Sequence, residues 1–305
     1  MIEKYCVPLC ASVKKILENN RLSKLKVYIT FDMEGVSGIV AGMTGPNPRS
    51  PDAFKRGQRF STDDVLAAIN GILEIDSDAE IWFNDAHGVS MNVFYEEFPE
   101  NVMIVANSAE LFDEVLAMDE TFDAMIGIGE HANPETADGV LQHVWDVRTV
   151  KFNGIPLAEI TLDAALVGYY NVPTVMISGD EAVCEYVKRV ISPKMATVAV
   201  KWGIGKRSAL CLHPKKAQKL IKAAVIDGLK RRNEIPPFRL DNPVTVDITY
   251  KDGGGADTTQ FFMQNYPDER VSADSIRFIT PNAKEAYFGF LARDKLGKPK
   301  SGIGY

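Results

Sequence analysis

Lys26-Val27-Tyr28-Ile29-Thr30-Phe31-Asp32-Met33-Glu34-Gly35 is the stretch from which the rest of the chain is read. Its first six residues alternate and are rich in β-branched and aromatic types, which is the signature of a strand. Asp32 and Glu34 stand two apart. In extended backbone that spacing puts both carboxylates on one face, roughly 6–7 Å from each other. Two acids aimed together at the end of a buried strand are costly unless a cation or hydrogen-bond donors compensate them. That cost is the first reason to look for a metal.

Working outward, the pattern predicts a strand over 26–32 and a loop with Gly and Pro from Gly35 to about Arg59. A helix is expected from Ser61, with Asp64 three residues on as a capping box, to about Glu74. A strand over 80–84 runs into Asp85-Ala86-His87-Gly88. A short strand at 102–106 and a helix over 108–118 follow. The strand at 124–129 ends on Glu130-His131, and one at 173–178 ends on Gly179-Asp180 and leads into a helix reaching Val190. Between these lie a turn at Gly154-Ile155-Pro156 and a helix from Ala158 to Tyr170. Strands alternating with helices indicate βαβ units and a mostly parallel sheet. In such sheets ligands bind outside the carboxyl ends of the strands, and acids and imidazoles recur at that edge here.

After Pro193 the character changes. Strands are expected at 196–202, 208–212, 244–250 and 275–280, with helices over 214–232 and 282–296. The expected architecture is an α/β fold, a three-layer αβα arrangement over 26–193 with a smaller α+β domain over 194–305. Residues 1–25 read as an N-terminal extension in which Val13, Ile16 and Leu17 give helical spacing.

The 305 residues are 46% hydrophobic and 25% charged, an ordinary balance for a globular protein. A formal net charge of -7 with no basic stripe disfavours nucleic acid as a partner. The basic residues of 215–232 are interleaved with Ala, Leu and Ile at helical spacing and read as a solvated helix face. Cys6, Cys10, Cys184 and Cys211 form no dense framework, the N-terminus is a poor signal peptide, and no long apolar run reads as a membrane span. A cytoplasmic protein is expected.

The chain has four histidines, His87, His131, His143 and His213. One histidine at a strand end is ordinarily a satisfied structural residue. With Asp32 and Glu34, His87 and His131 become candidate ligands, since imidazole and carboxylate are usual zinc donors in hydrolases. Asp85 either shares the face of His87 or orients it. Glu159 opens a helix, where an acid is favoured by the dipole alone. His143, in the apolar run Val140-Leu141-Gln142-His143-Val144-Trp145, is either a buried imidazole or a general acid/base. His213, before Pro214, reads as structural.

Asp32-Met33-Glu34-Gly35-Val36-Ser37-Gly38, Asn84-Asp85-Ala86-His87, Gly129-Glu130-His131-Ala132, His143 and Asn153-Gly154-Ile155-Pro156-Leu157-Ala158-Glu159 together resemble the DppA-like D-aminopeptidases, from about Lys26 to Leu296. The resemblance implies two zinc ions per chain. Asp32 would bridge them, Glu34 and His87 would complete one site, His131 and Glu159 the other, and His143 would be the catalytic histidine. It also implies cleavage of short peptides from a free N-terminus with D-residue preference, and a ring-shaped homodecamer. Glu130 stands where that family commonly has an aromatic residue. Glu130 or Asp180 is a candidate for binding the substrate ammonium. Two other readings remain: an amidase or L-peptide hydrolase with the same metals, and a non-catalytic peptide-binding transport component.

Overall fold

The computed structural model describes residues 24–40, 51–88, 90–105, 115 and 117–298. Its main sheet has seven strands: β1 (Lys26–Phe31), β2 (Glu80–Asp85), β3 (Val102–Val105), β4 (Ala124–Glu130), β7 (Thr174–Asp180), β8 (Ala196–Gly205) and β9 (Ser208–Cys211). Their order is β3-β2-β1-β4-β7-β8-β9. Neighbours are parallel except for the β8–β9 hairpin at one edge. Every residue of β1, β4 and β7 is buried, as expected of central strands covered on both faces.

Six α-helices are described: α1 (Pro51–Ile75), α2 (Glu159–Tyr169), α3 (Glu181–Val190), α4 (Pro214–Lys230), α5 (Gly253–Phe262) and α6 (Ala283–Gly297). Alternation along β1 sorts its side chains. Val27, Ile29 and Phe31 join Val65, Ile69 and Ile72 of α1 and Ile221, Val225 and Leu229 of α4 in one apolar cluster. Tyr28, from the opposite face, joins a second cluster with Leu162 and Leu166 of α2 and Val183 and Val187 of α3. The expected three-layer α/β arrangement with a mostly parallel sheet is present.

A second sheet is antiparallel throughout, with the order β11-β12-β10-β5-β6. It comprises β5 (Thr149–Phe152), β6 (Ile155–Pro156), β10 (Val244–Thr249), β11 (Glu269–Ser272) and β12 (Ser275–Thr280). The cluster holding Tyr28 continues into Val246, Ile248, Phe278 and Phe290, so the two sheets share one core.

The sheets do not divide at 193/194. β8 and β9 complete the first sheet, while β5 and β6 belong to the second. The cause is long-range pairing: β5 lies against β10, with Thr149 opposite Thr249, and no local signal carries that contact. α1 starts at Pro51 rather than Ser61, because Phe54 and Phe60 carry its apolar side further back and proline suits a first helical turn. Ser61 and Asp64 are then buried in mid-helix instead of forming a cap. The expected helix of the N-terminal extension, with Cys6 and Cys10, and the body of the helix expected over 108–118 lie outside the described residues.

Candidate metal centre

The strand order reverses between β1 and β4: β2 and β3 lie on one side of the pair, β7 and β8 on the other. The crevice at such a switch point is the usual ligand site of an open parallel sheet. Asp32 and Glu34 follow β1 there, and His131 follows β4. The strand ends at Phe31 and the chain bends, yet both acids still face the same centre. Two close approaches make the bend possible. Gly35 N donates to Gly129 O at 2.6 Å, and a Cβ on Gly35 would overlap the Glu130 carbonyl oxygen. Gly129 has φ 78° and lies against the carbonyl of Asp32.

The five expected ligands converge. His87 Nδ1 lies 2.9 Å from Asp32 Oδ1 and 2.8 Å from Glu34 Oε2. His131 Nε2 lies 3.1 Å from Asp32 Oδ2 and 3.3 Å from Glu159 Oε2. Asp32 thus gives one oxygen to each histidine. Glu34 also comes within reach of His131, in a group with Asp32 whose ligand atoms all lie within 4.8 Å of one another. His143 stacks on His131 with ring centroids 4.2 Å apart and planes 11° apart, and its Nε2 is 3.9 Å from Glu159 Oε1.

The donor set fits a cation. His131 Nδ1 is 3.0 Å from Ala132 O; a carbonyl only accepts, so Nδ1 carries the proton. The Nε2 lone pair then faces two carboxylate oxygens, which is repulsive unless a proton or a metal ion lies between. Buried Asp32 Oδ2, Glu34 Oε2, His87 Nε2 and His131 Nε2 have no hydrogen-bond partner. Asp32, Glu34 and His131, which contribute three of these atoms, lie together, and unpaired polar atoms gathered there are expensive without a shared ion. Nitrogen and carboxylate oxygen donors suit zinc.

The electrostatics agree. Burial opposes the charged form of His87, but Glu34 and Asp32 outweigh it and hold its pKa well above the usual value. Burial likewise opposes charge on His131, and Glu159 and Asp32 outweigh it. Burial would raise Asp32; His131 and His87 instead hold it well below the carboxylate range. Glu159 is lowered despite burial, through His143 and His131.

Local structure positions each side chain. The loop after β2 is pinned by Asn92, whose amide nitrogen donates to Asp85 Oδ1 (2.8 Å) and to His87 O (2.6 Å). Asp85 also accepts from Asn92 N and Tyr95 Oη, so it braces the loop and does not touch the His87 ring. Glu159 is in the first turn of α2, where the dipole favours an acid, and its Oε1 accepts from Trp145 N at 2.6 Å. His143 Nδ1 donates to Leu141 O at 2.8 Å. Asp180 caps α3: its oxygens accept from Val183 N and Val140 N, and the residue is fully buried, out of reach of a substrate ammonium. Glu130 is buried, and burial together with Asp32 pushes its carboxyl well above the usual range, which does not suit an ammonium partner. His213 caps α4, as its structural reading expects.

Sequence reasoning missed the clamp on the loop after Glu34. Lys201 of β8 is fully buried and donates to the carbonyls of Glu34, Val36 (3.1 Å) and Ile39 (2.8 Å). Asp64 of α1 accepts from the Ser37 amide, and Ser37 Oγ donates to Leu212 O at 2.6 Å. The available signals were a lysine inside an otherwise apolar strand and an acid on the apolar side of a helix.

The chain resembles known proteins over nearly its whole length. A D-aminopeptidase of Bacillus subtilis strain 168 is 26% identical over 278 residues, covering 89% of this chain and 97% of that protein. The solved structure of DppA from Bacillus subtilis, described as a Zn-dependent D-aminopeptidase and a self-compartmentalizing protease, superposes with a TM-score of 0.82 at 25% identity. It covers 92% of this chain and is itself covered completely. The family match runs over residues 25–292, taking in every residue of the converging site, and the chain belongs to the D-aminopeptidase family.

Proposed function

We propose that this protein is a zinc-dependent aminopeptidase that removes the N-terminal residue of short peptides, with preference for D-residues. Asp32, Glu34, His87, His131 and Glu159 would hold two zinc ions per chain, with Asp32 shared between them. The observation that carries the reading is the division of the Asp32 carboxylate between His87 and the buried His131. Relatives in the same family, one described as Zn-dependent, support the metal and the D-preference.

Zinc held by these residues would supply Lewis acidity toward a carbonyl oxygen and would lower the pKa of water toward neutrality. The protein's own groups do the rest. With its Nδ1 proton committed to Leu141 O, His143 keeps a free lone pair on Nε2, on a side chain that is 42% exposed and so reachable by substrate. Nε2 takes a proton from the attacking water and returns it to the leaving amine. Glu159, held by Trp145 N, fixes the far side of this centre. The stack of His143 on His131 keeps the proton carrier against the ligand shell.

The self-compartmentalizing description of the DppA relative supports an assembly of copies that encloses an internal space; a ring of ten with the sites facing inward is what the family resemblance implies. Among the described residues no helix is long and apolar enough to cross a membrane, which is compatible with a cytoplasmic location. The test is metal analysis joined to a panel of D- and L-aminoacyl peptides. Turnover of the D-peptides by zinc-loaded protein is expected. Turnover confined to L-peptides or simple amides would replace the substrate, and tight peptide binding without turnover would replace the enzyme.

A further inference from the structure

His143 lies in a short loop whose backbone is strained on both sides of it. Leu141 has φ 57° and Trp145 φ 41°, left-handed values that side-chain-bearing residues hold only where their surroundings over-determine them. Two anchors from opposite parts of the fold supply that constraint. At the near end, Leu141 N donates to Lys206 O in the β8–β9 turn at 2.8 Å. At the far end, Asp146 N donates to Asp294 Oδ1 of α6 at 3.1 Å.

The α6 contact is a stripe. Phe290, Asp294 and Lys298 follow at four-residue spacing and so share one side of the chain. Trp145 packs on Phe290 with ring centroids 5.3 Å apart at 72°, and Lys298 Nζ reaches Asp146 Oδ2 at 2.7 Å. Asp294, between them, is 1% exposed. Its carboxylate therefore meets the loop in the interior. Trp145 N, one residue before the Asp294 contact, is the donor that holds Glu159.

We infer that Asp294 is a positioning residue for His143: by accepting the Asp146 amide it fixes the loop that carries Nε2, without touching substrate or reacting atoms. The inference rests on the reading of His143 as the proton carrier. It gives the second sheet and α6 a role in turnover, although they contribute none of the five ligands.

The experiment compares full-length, zinc-loaded wild type with Asp294→Ala, Asp294→Asn, Phe290→Leu and His143→Ala. Misplacing a catalytic group by about 1 Å costs on the order of a hundredfold, so kcat of Asp294→Ala is expected to fall about ten- to a hundredfold. KM and zinc content should stay within about twofold. Asp294→Asn keeps the accepting oxygen and should recover most of kcat. Wild-type kcat in Asp294→Ala, or an asparagine variant as slow as the alanine one, overturns the inference. If Asp294→Ala does not fold, Phe290→Leu decides: a lower kcat with KM and zinc kept supports it, and an unchanged kcat overturns it. His143→Ala separates the two levels. Lost turnover with zinc retained upholds the reading of His143, so that wild-type kcat in Asp294→Ala removes only the inference. Full turnover in His143→Ala removes both.

Discussion

Replacing Lys201 with methionine removes a buried ammonium and keeps the shape of the side chain. The ammonium holds three carbonyls of the loop that follows Glu34. Methionine leaves three buried carbonyls without a donor, at about 1–3 kcal/mol each. Against this stands the cost of burying the charge. Burial lowers the Lys201 pKa from 10.5 to about 8, which corresponds to about 3 kcal/mol that the variant recovers. The net expectation is a loss of up to about 6 kcal/mol, read by urea unfolding of the metal-free chain.

The pH dependence has a definite sign. Below pH 8 the lysine is charged in both folded and unfolded chains and carries its whole cost. Between about 8 and 10.5 the folded chain releases its proton first, and stability rises by about 3 kcal/mol. Lys201→Met should lack this rise. Because the loop orients Glu34, zinc affinity measured by chelator competition should fall as well. A variant with wild-type unfolding, wild-type alkaline slope and wild-type zinc affinity would refute the clamp.

Gly35→Ala should lower zinc occupancy and stability together, since the added Cβ meets backbone at Glu130 and nothing flexible can give way; a variant with full zinc content would contradict the close approach. His87 and His131 hold protons to unusually high pH in the metal-free chain, so zinc must displace them, and its apparent affinity should rise with pH by up to about two decades per unit. Calorimetry in buffers of different ionisation enthalpy reads the protons released, and a pH-independent affinity would refute the assignment. Arg293→Met strands Asp268, whose side chain is 2% exposed, and should cost about 3–5 kcal/mol while leaving zinc content unchanged. Loss of zinc in that variant would show that the second sheet supports the ligands directly.

The site was legible because its signals are local. Asp32 and Glu34, then His87 and His131, each stand at the end of a strand whose periodicity marks it, and the parallel sheet brings those ends together. Glu159 and His143 were legible only through the combined motif, since an acid in a first helical turn and a histidine in an apolar run have ordinary explanations. What escaped depends on distant pairing. The strand over 149–152 has its partner a hundred residues on, so its sheet membership is invisible in its own sequence. The role of Lys201 rests on three carbonyls that lie more than 160 residues before it, so its own strand carries no sign of them. Asp85 and Asp180 carried the right chemistry at the right edge, yet their oxygens are taken by backbone and side-chain donors nearby. A carboxylate's partners decide its role, and those partners lie several to forty residues away.

The central claim, two zinc ions sharing Asp32, is tested most directly by the zinc content of purified variants measured by elemental analysis. The account predicts two zinc ions per wild-type chain, near zero for Asp32→Asn, and an intermediate value near one for Glu159→Gln. Two zinc ions retained in Asp32→Asn, or a single ion in the wild type, would contradict it.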